Sequence, residues 1–252
     1  MTSDDRPVVL ITGGTGSIGR EVAAQALEAG WRVVLHGRTR DSVDAAMKGF
    51  ARPETDIAAY AEDAFAQGAV PSIVERAVAC FGRIDAVVDC VTGGPPGVVG
   101  RFADTDPAGY PGLLNASVAH IQRLAHAALP LLARRGGTLI AFASDAGRFA
   151  ATGQAAVGAS RAGIMGFVRN LAMETAQDGI RVHCIAPSFV EGSASLKRTE
   201  ARNPDRVAKA RARAGLGLPT PADIAPVVLF LCGDGARKLT GQIISVNGGL
   251  NA

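Results

Sequence analysis

"VVLITGGTGSIGREVAAQALEAGWRVVLHG", residues 8 to 37, decides the fold. It opens with an apolar, β-branched run over 8–12, breaks at a glycine cluster, continues through an Ala-rich stretch over 20–30 and returns to an apolar run over 31–37. Apolar runs without polar alternation suit strands covered on both faces, and a helix joining two of them makes a unit with parallel strands. The turn between them, "TGGTGSIG" from Thr12 to Gly19, follows a strand and opens a helix. Glycines there permit a tight turn and bring backbone N–H groups at the helix start close to a bound pyrophosphate. Gly13, Thr15, Gly16, Ser17, Ile18 and Gly19 are therefore candidate cofactor-binding residues.

The same alternation recurs in "DAVVDC" (85–90), "GTLIAFAS" (137–144), "IRVHCIA" (180–186) and "GQIISVNGG" (241–249). It predicts an α/β chain with a doubly wound parallel sheet. No repeat and no linker interrupts it, so residues 1–252 are expected to form one domain. Two stretches depart from the pattern: the Gly/Pro-rich 92–100 and a basic segment that begins near 192 and is densest over 196–215. Both are expected as walls or lids over a site at the strands' carboxyl ends.

Composition narrows the function. Hydrophobic residues at 48% against 19% charged are a globular balance, and 252 residues can bury a substantial core. A net charge of +3, one Trp and two Tyr give no aromatic and basic interleaving, so no nucleic-acid partner is expected. The apolar run "VVLFLC" (227–232) is far too short to span a bilayer. Cys80, Cys90, Cys184 and Cys232 are scattered, with no CxxC pair and no metal-ligand spacing, and no secretory leader is seen. A cytoplasmic protein with reduced thiols and no metal is expected. After the second strand the chain carries Arg38 and Arg40 and lacks the carboxylate that would take ribose hydroxyls. Two guanidiniums suit a 2′-phosphate, which favours NADP(H) over NAD(H).

With these features the sequence resembles the short-chain dehydrogenase/reductase family from Val8 to Gly249. The resemblance rests on the glycine loop, Asp63 with Ala64 on the adenine side, "FGRID" (81–85), Asn115 in "LLNASV", Ser144 in "IAFASDAG", and the tail "PADIAPVVLFLCGDGARKLTGQIISVNGG". It implies a Rossmann-type sheet of about seven parallel strands in three α/β/α layers, and a homodimer or homotetramer built partly on long helices near 110–132 and 157–177. Cys90 and Pro187 would line the cofactor cleft.

Relatives reduce carbonyls or oxidise alcohols with an Asn, a Ser and a Tyr-x-x-x-Lys helix. Asn115 and Ser144 match, but the tyrosine position holds Val157 and the lysine position Arg161. Valine has no transferable proton, and general acid catalysis is worth about 10²–10⁴-fold. Arg161 can still donate to ribose hydroxyls, yet a guanidinium is no proton relay. Further departures lie at "DCVT" (89–92), Pro187-Ser188 and Gly192, all on the nicotinamide side, and Ser17 replaces a glycine in the loop.

Asp145, beside Ser144, is a candidate replacement acid or base, though an Asp in such a turn more commonly binds backbone N–H groups. His183 in a strand, and His120 and His126 on unlike helix faces, offer no relay. The basic segment suggests an anionic substrate, a carboxylate or a thioester-linked carrier, against the commoner reading of a solvated helix face. Three functions stay open. The chain could act on a small carbonyl or hydroxyl compound by an altered or non-redox route of dehydratase, isomerase or aldolase type. It could be a non-catalytic nucleotide-binding or scaffold subunit. It could be a ketoreductase with a substitute donor.

Overall fold

The computed structural model describes residues 5–50 and 52–251. Seven strands form: β1 (Val8–Thr12), β2 (Arg32–Gly37), β3 (Ile57–Ala61), β4 (Ala86–Asp89), β5 (Gly137–Phe142), β6 (Ile180–Ile185) and β7 (Ile243–Ile244). All pair in parallel in the order β3-β2-β1-β4-β5-β6-β7. The order reverses between β1 and β4, which opens a crevice beyond their carboxyl ends.

Helices cover both faces: α1 (Ser17–Glu28), α2 (Arg40–Met47), α3 (Ala69–Phe81), α4 (Tyr110–Leu114), α5 (His120–Leu132), α6 (Ala155–Thr175), α7 (Ala194–Arg202), α8 (Pro204–Arg213) and α9 (Pro221–Cys232). Alternate residues of each strand point to opposite layers. Leu10, Val34, Val87, Leu139 and Val182 pack with α3, α5 and α6, whereas Val9, Ile11, Val33, Val88 and Ile140 pack with α1, α2 and α9. This two-sided burial explains why the strands read as continuous apolar runs. The expected seven-stranded Rossmann-type sheet in three layers is what forms.

Local chemistry sets the ends. The Thr220 and Asp223 side chains reciprocally cap the start of α9, with Pro221 in its first turn. Its last carbonyls, on Leu231 and Cys232, accept from the Arg181 guanidinium of β6.

Three boundaries differ from expectation. The helix expected over 110–132 is broken by a π turn at Asn115–Ala119, where the Ser117 hydroxyl donates to the Leu113 carbonyl at 2.5 Å and competes with the regular ladder. Only Ile243–Ile244 of the last apolar stretch joins the sheet, because the side chains of Ser245 and Asn247 turn away to bind Asp145. The basic segment is a pair of helices, α7 and α8, with Val207 and Ala210 buried beneath it.

His183 of β6 is fully buried on the side opposite Val182 and Cys184. Burial, aided by Arg181, pushes its pKa from 6.5 down to about 4. Above pH ~6.5 the ring is neutral in both folded and unfolded chains, so it costs nothing. As pH falls from there to about 4 the unfolded chain takes up the proton and the folded one does not, removing up to roughly 3 kcal/mol of stability. Urea unfolding of wild type and His183→Leu between pH 7 and 4 should show a shallower decline for the variant; parallel declines would refute this.

Candidate functional site

The crevice is built from the turn after β1. Gly13 has φ +65°, and a Cβ there would sit 2.7 Å from the Cys90 backbone, so the loop lies directly on the end of β4. Gly14 donates to the His36 carbonyl at 2.8 Å, and a Cβ on Gly37 would meet Thr15 at 2.4 Å. A Cβ on Gly19 would collide with Gly14 at 2.6 Å. Helix α1 starts at Ser17 after Gly16, with no side-chain cap and no acidic residue in its first turn. The N–H groups of Ser17, Ile18 and Gly19 therefore have no intrahelical acceptor and suit an anion.

Around this loop Arg38 is exposed, whereas Arg40 is held by Asp44 at 2.9 Å. Only Arg38 of the expected pair is free of such a partner among the described residues. Asp63 is exposed and accepts from the Phe65 N–H at 3.1 Å, with Ala64 buried beside it. Cys90 is largely enclosed, and burial pushes its thiol pKa well up, so it is an inert wall.

The second half of the crevice is set by how closely α6 approaches the turn after β5. A Cβ on Gly158 would lie 2.6 Å from the Ala146 carbonyl, and one on Gly147 would lie 2.6 Å from the Ala162 nitrogen. The turn that begins at Ser144 is thereby held against the segment of α6 that carries Val157 and Arg161. The Ser144 Oγ accepts from the Ala146 N–H at 3.3 Å, and a hydroxyl in that state keeps its own proton to donate. Val157 is half-buried, and burial lowers the pKa of Arg161.

Two expected members stand elsewhere. Asn115 is exposed and its Oδ1 accepts from Arg123 at 3.0 Å, so its amide is tied to the helix surface. The neighbouring Ala116 instead faces the loop after β4, 3.5 Å from where a Cβ on Gly93 would stand. The π turn shifts the helix face by one residue, which pattern matching could not see. Asp145 is buried and is the anchor of the C-terminal tail: it accepts from Ser245 Oγ and Asn247 Nδ2, each at 2.6 Å, while its N–H donates to the Pro187 carbonyl at 3.1 Å. This is a structural tie, not the acid or base that its position suggested.

Both phenols are engaged away from the Ser144 turn. The Tyr60 hydroxyl donates to the Ile73 carbonyl in the core, where burial pushes its pKa up, and the Tyr110 hydroxyl shares a 2.7 Å bond with Thr105 while its ring stacks on Phe102. These are the chain's two tyrosines.

One cluster escaped sequence reasoning. Asp89 ends β4 under the glycine loop, and its Oδ1 accepts from Thr12 Oγ1 at 2.7 Å, lies 3.1 Å from His120 Nε2 and takes the Val91 N–H at 3.3 Å. A carboxylate at the end of an otherwise apolar strand was the available signal, since it must find donors. The basic segment is partly neutralised, because Arg211 binds Glu191 at 2.7 Å and Glu200 at 2.6 Å. A cavity of about 280 Å³ at the opposite end of the sheet is also arginine-lined, but Arg83 and Arg135 there are bound to Asp5 and Asp85. Among the described residues no group of three or more His, Cys, Asp or Glu could hold a metal ion, and no helix is long and apolar enough to cross a membrane.

The enoyl-(acyl carrier protein) reductase family profile matches residues 13–251. An uncharacterized oxidoreductase of Mycobacterium tuberculosis is 30% identical over 246 residues, covering 98% of this chain and 92% of its own. A 3-oxoacyl-[acyl-carrier-protein] reductase of Thermotoga maritima is 26% identical over 249 residues, covering 96% of this chain and 97% of its own. Among solved structures, ElxO with NADP bound superimposes with a TM-score of 0.85 at 23% identity, covering 97% of this chain and 98% of its own, which is a likeness of fold.

Replacing Asp145 by Ala removes the acceptor of a buried donor on Asn247 and a half-buried donor on Ser245, and hydrogen bonds to a charged group are worth about 1.5–3 kcal/mol each. A loss of roughly 3 kcal/mol or more is expected in chemical denaturation, less for Ser245→Ala, and the double change should cost less than the sum.

Proposed function

The chain belongs to the short-chain dehydrogenase/reductase family of oxidoreductases, and from that premise we propose that it binds NADP(H) and acts on a small carbonyl or hydroxyl compound by a route that needs no tyrosine. The carrying observation is Val157 at the start of α6, next to Gly158 whose backbone meets the Ser144 turn, at the position where relatives keep their proton donor. Ser144 donates its hydroxyl proton in a hydrogen bond to the substrate carbonyl oxygen and so draws electron density towards it. No side chain beside it completes a proton transfer, since valine has none to give and guanidinium holds its own too tightly. Polarisation of a carbonyl without a phenol suits dehydration, isomerisation or retro-aldol cleavage better than ketone reduction.

The residues fit the cofactor. The N–H groups of Ser17, Ile18 and Gly19 would take the pyrophosphate, Arg38 the 2′-phosphate, and Asp63 with Ala64 the adenine side. Bound NADP(H) would bring a nicotinamide ring, a hydride donor or acceptor, to the Ser144 side of the crevice, between Cys90 and Pro187. A cytoplasmic homodimer or homotetramer is the assembly this reading takes from the family.

Two measurements test it. Wild-type protein with NADPH should reduce simple ketones very slowly, and Val157→Tyr with Arg161→Lys should raise the rate by about 10²-fold or more; an unchanged rate in that double variant would count against an intact site. Loss of a charge-assisted phosphate contact costs about 1.5–3 kcal/mol, so Arg38→Gln should weaken NADPH by roughly 10–100-fold and leave NADH little changed. Equal loss for both dinucleotides would remove Arg38 from the 2′-phosphate.

A further inference from the structure

We propose that the cavity at the amino ends of the strands is a second anion site, which takes a phosphoryl group, free or on a small phosphomonoester, in the seat that the Asp5 carboxylate now fills. It lies at the opposite end of the sheet from Ser144 and the glycine loop, so it stands independently of the chemistry proposed for them.

Parallel pairing puts Arg32, the first residue of β2, and Asp85, just before β4, at the same end of the sheet. The segments that follow α3 and α5 bring Arg83, Arg134 and Arg135 to the same space. The cavity holds about 280 Å³, room for one small group and not for a dinucleotide. Arg83 is firmly set: its Nη2 donates to Asp85 Oδ1 at 2.6 Å, and Asp85 Oδ2 accepts in turn from the Val8 N–H at 2.8 Å. The Arg32 guanidinium lies over the Phe81 ring, 4.9 Å from its centre. Into this frame the exposed Asp5 sends its carboxylate, whose Oδ1 accepts from Arg83 Nη1 at 2.6 Å and from Arg135 Nη1 at 2.8 Å. The chain thus fills the seat with an oxyanion of its own.

Asp5 uses only part of what is offered. The Arg134 side chain makes no hydrogen bond or ion pair with any described residue, and Arg83 Nε is sealed from solvent without an acceptor. Cations at helix carboxyl ends commonly do no more than offset the helix dipole, about half a charge at each end. Here four guanidiniums gather where the ends of α3 and α5 ask for about one charge between them and Asp5 and Asp85 for one each. Among the described residues that leaves roughly one positive charge with Asp5 seated and about two once it leaves, the charge that a phosphate dianion cancels. A phosphoryl group also presents three acceptor oxygens, enough to engage Arg134 beside Arg83 and Arg135. A carboxylate from solution meets an equal competitor, because Asp5 is tethered and acts at an effective concentration of millimolar order. The ion pairs of Asp5 are exposed and individually weak, which lets a dianion displace it.

The test is calorimetric titration of the full chain at pH ~8, where phosphates are dianions, and at constant ionic strength, with inorganic phosphate, methyl phosphate and acetate. It is repeated on Asp5→Asn and on Asp5→Asn combined with Arg134→Gln and Arg135→Gln. All three positions are exposed, and thermal melts check that the variants fold. Phosphate should bind the wild type at least about 10-fold more tightly than acetate does, and Asp5→Asn should tighten it by about another 10-fold, because the tethered competitor and its charge are gone. Adding the two arginine changes should then weaken phosphate by about 10-fold or more. Phosphate held by the glycine loop would add a second isotherm untouched by these variants. Methyl phosphate binding as tightly as phosphate assigns the site to a phosphoryl group on a larger molecule, and binding of inorganic phosphate alone assigns it to the free ion. The absence of a phosphate isotherm that responds to Asp5→Asn, acetate binding as tightly as phosphate, or a phosphate affinity unchanged by loss of Arg134 and Arg135 would overturn the proposal.

Discussion

The chemistry of this molecule depends on the contact between the start of α6 and the turn after β5. Gly147 and Gly158 let the two backbones meet at distances that no Cβ would tolerate, 2.6 Å on either side. A methyl group on either glycine would push α6 outward and carry Val157 and Arg161 away from Ser144. The fixed approach is therefore the precondition for any joint action of these three residues, whichever reaction they serve.

A second constraint lies under the glycine loop. Gly13 rests on the Cys90 backbone, and Asp89 beside it draws Thr12, Val91 and His120 onto a single carboxylate oxygen. This knot joins β1 to β4 at the point where strand order reverses and ties α5 to the same spot. A buried carboxylate with several donors is costly to leave half satisfied, so Thr12, Asp89 and His120 behave as one unit. His120 also lies edge-on to Phe65, 5.5 Å between ring centres, which extends the knot to the loop after β3.

Much of this was legible in the sequence because its signals are periodic or local. Unbroken apolar runs announced two-sided strands, and the glycine spacing announced the loop. Side-chain direction was less legible where one residue of helical offset decides it. Asn115 matches a pattern but faces solvent, since Ser117 draws a π turn into the helix and brings Ala116 inward. Asp145 lies next to Ser144 in the chain, yet the donors that claim it come from residues 245 and 247, about a hundred positions away. The same distance hid the shortness of β7. The pairing of Arg211 with Glu191 and Glu200 was hidden likewise, so a run of basic residues overstated the free charge above the cleft.

The two sides of the crevice hang on different parts of the sheet. The glycine loop, with Arg38 and Asp63, hangs on β1, β2 and β3, whose packing involves α1, α2 and α3. Val157, Arg161, Pro187 and Gly192 belong to elements on the other side of the strand reversal, beyond β4. The two sides are linked by the knot at Asp89, which uses none of these four residues. The tail adds a second fastening, with Asp145 holding Ser245 and Asn247 while its N–H binds the Pro187 carbonyl. The turn that carries Ser144 is thus fixed from behind by buried hydrogen bonds. Side chains facing the crevice can change identity without loosening it.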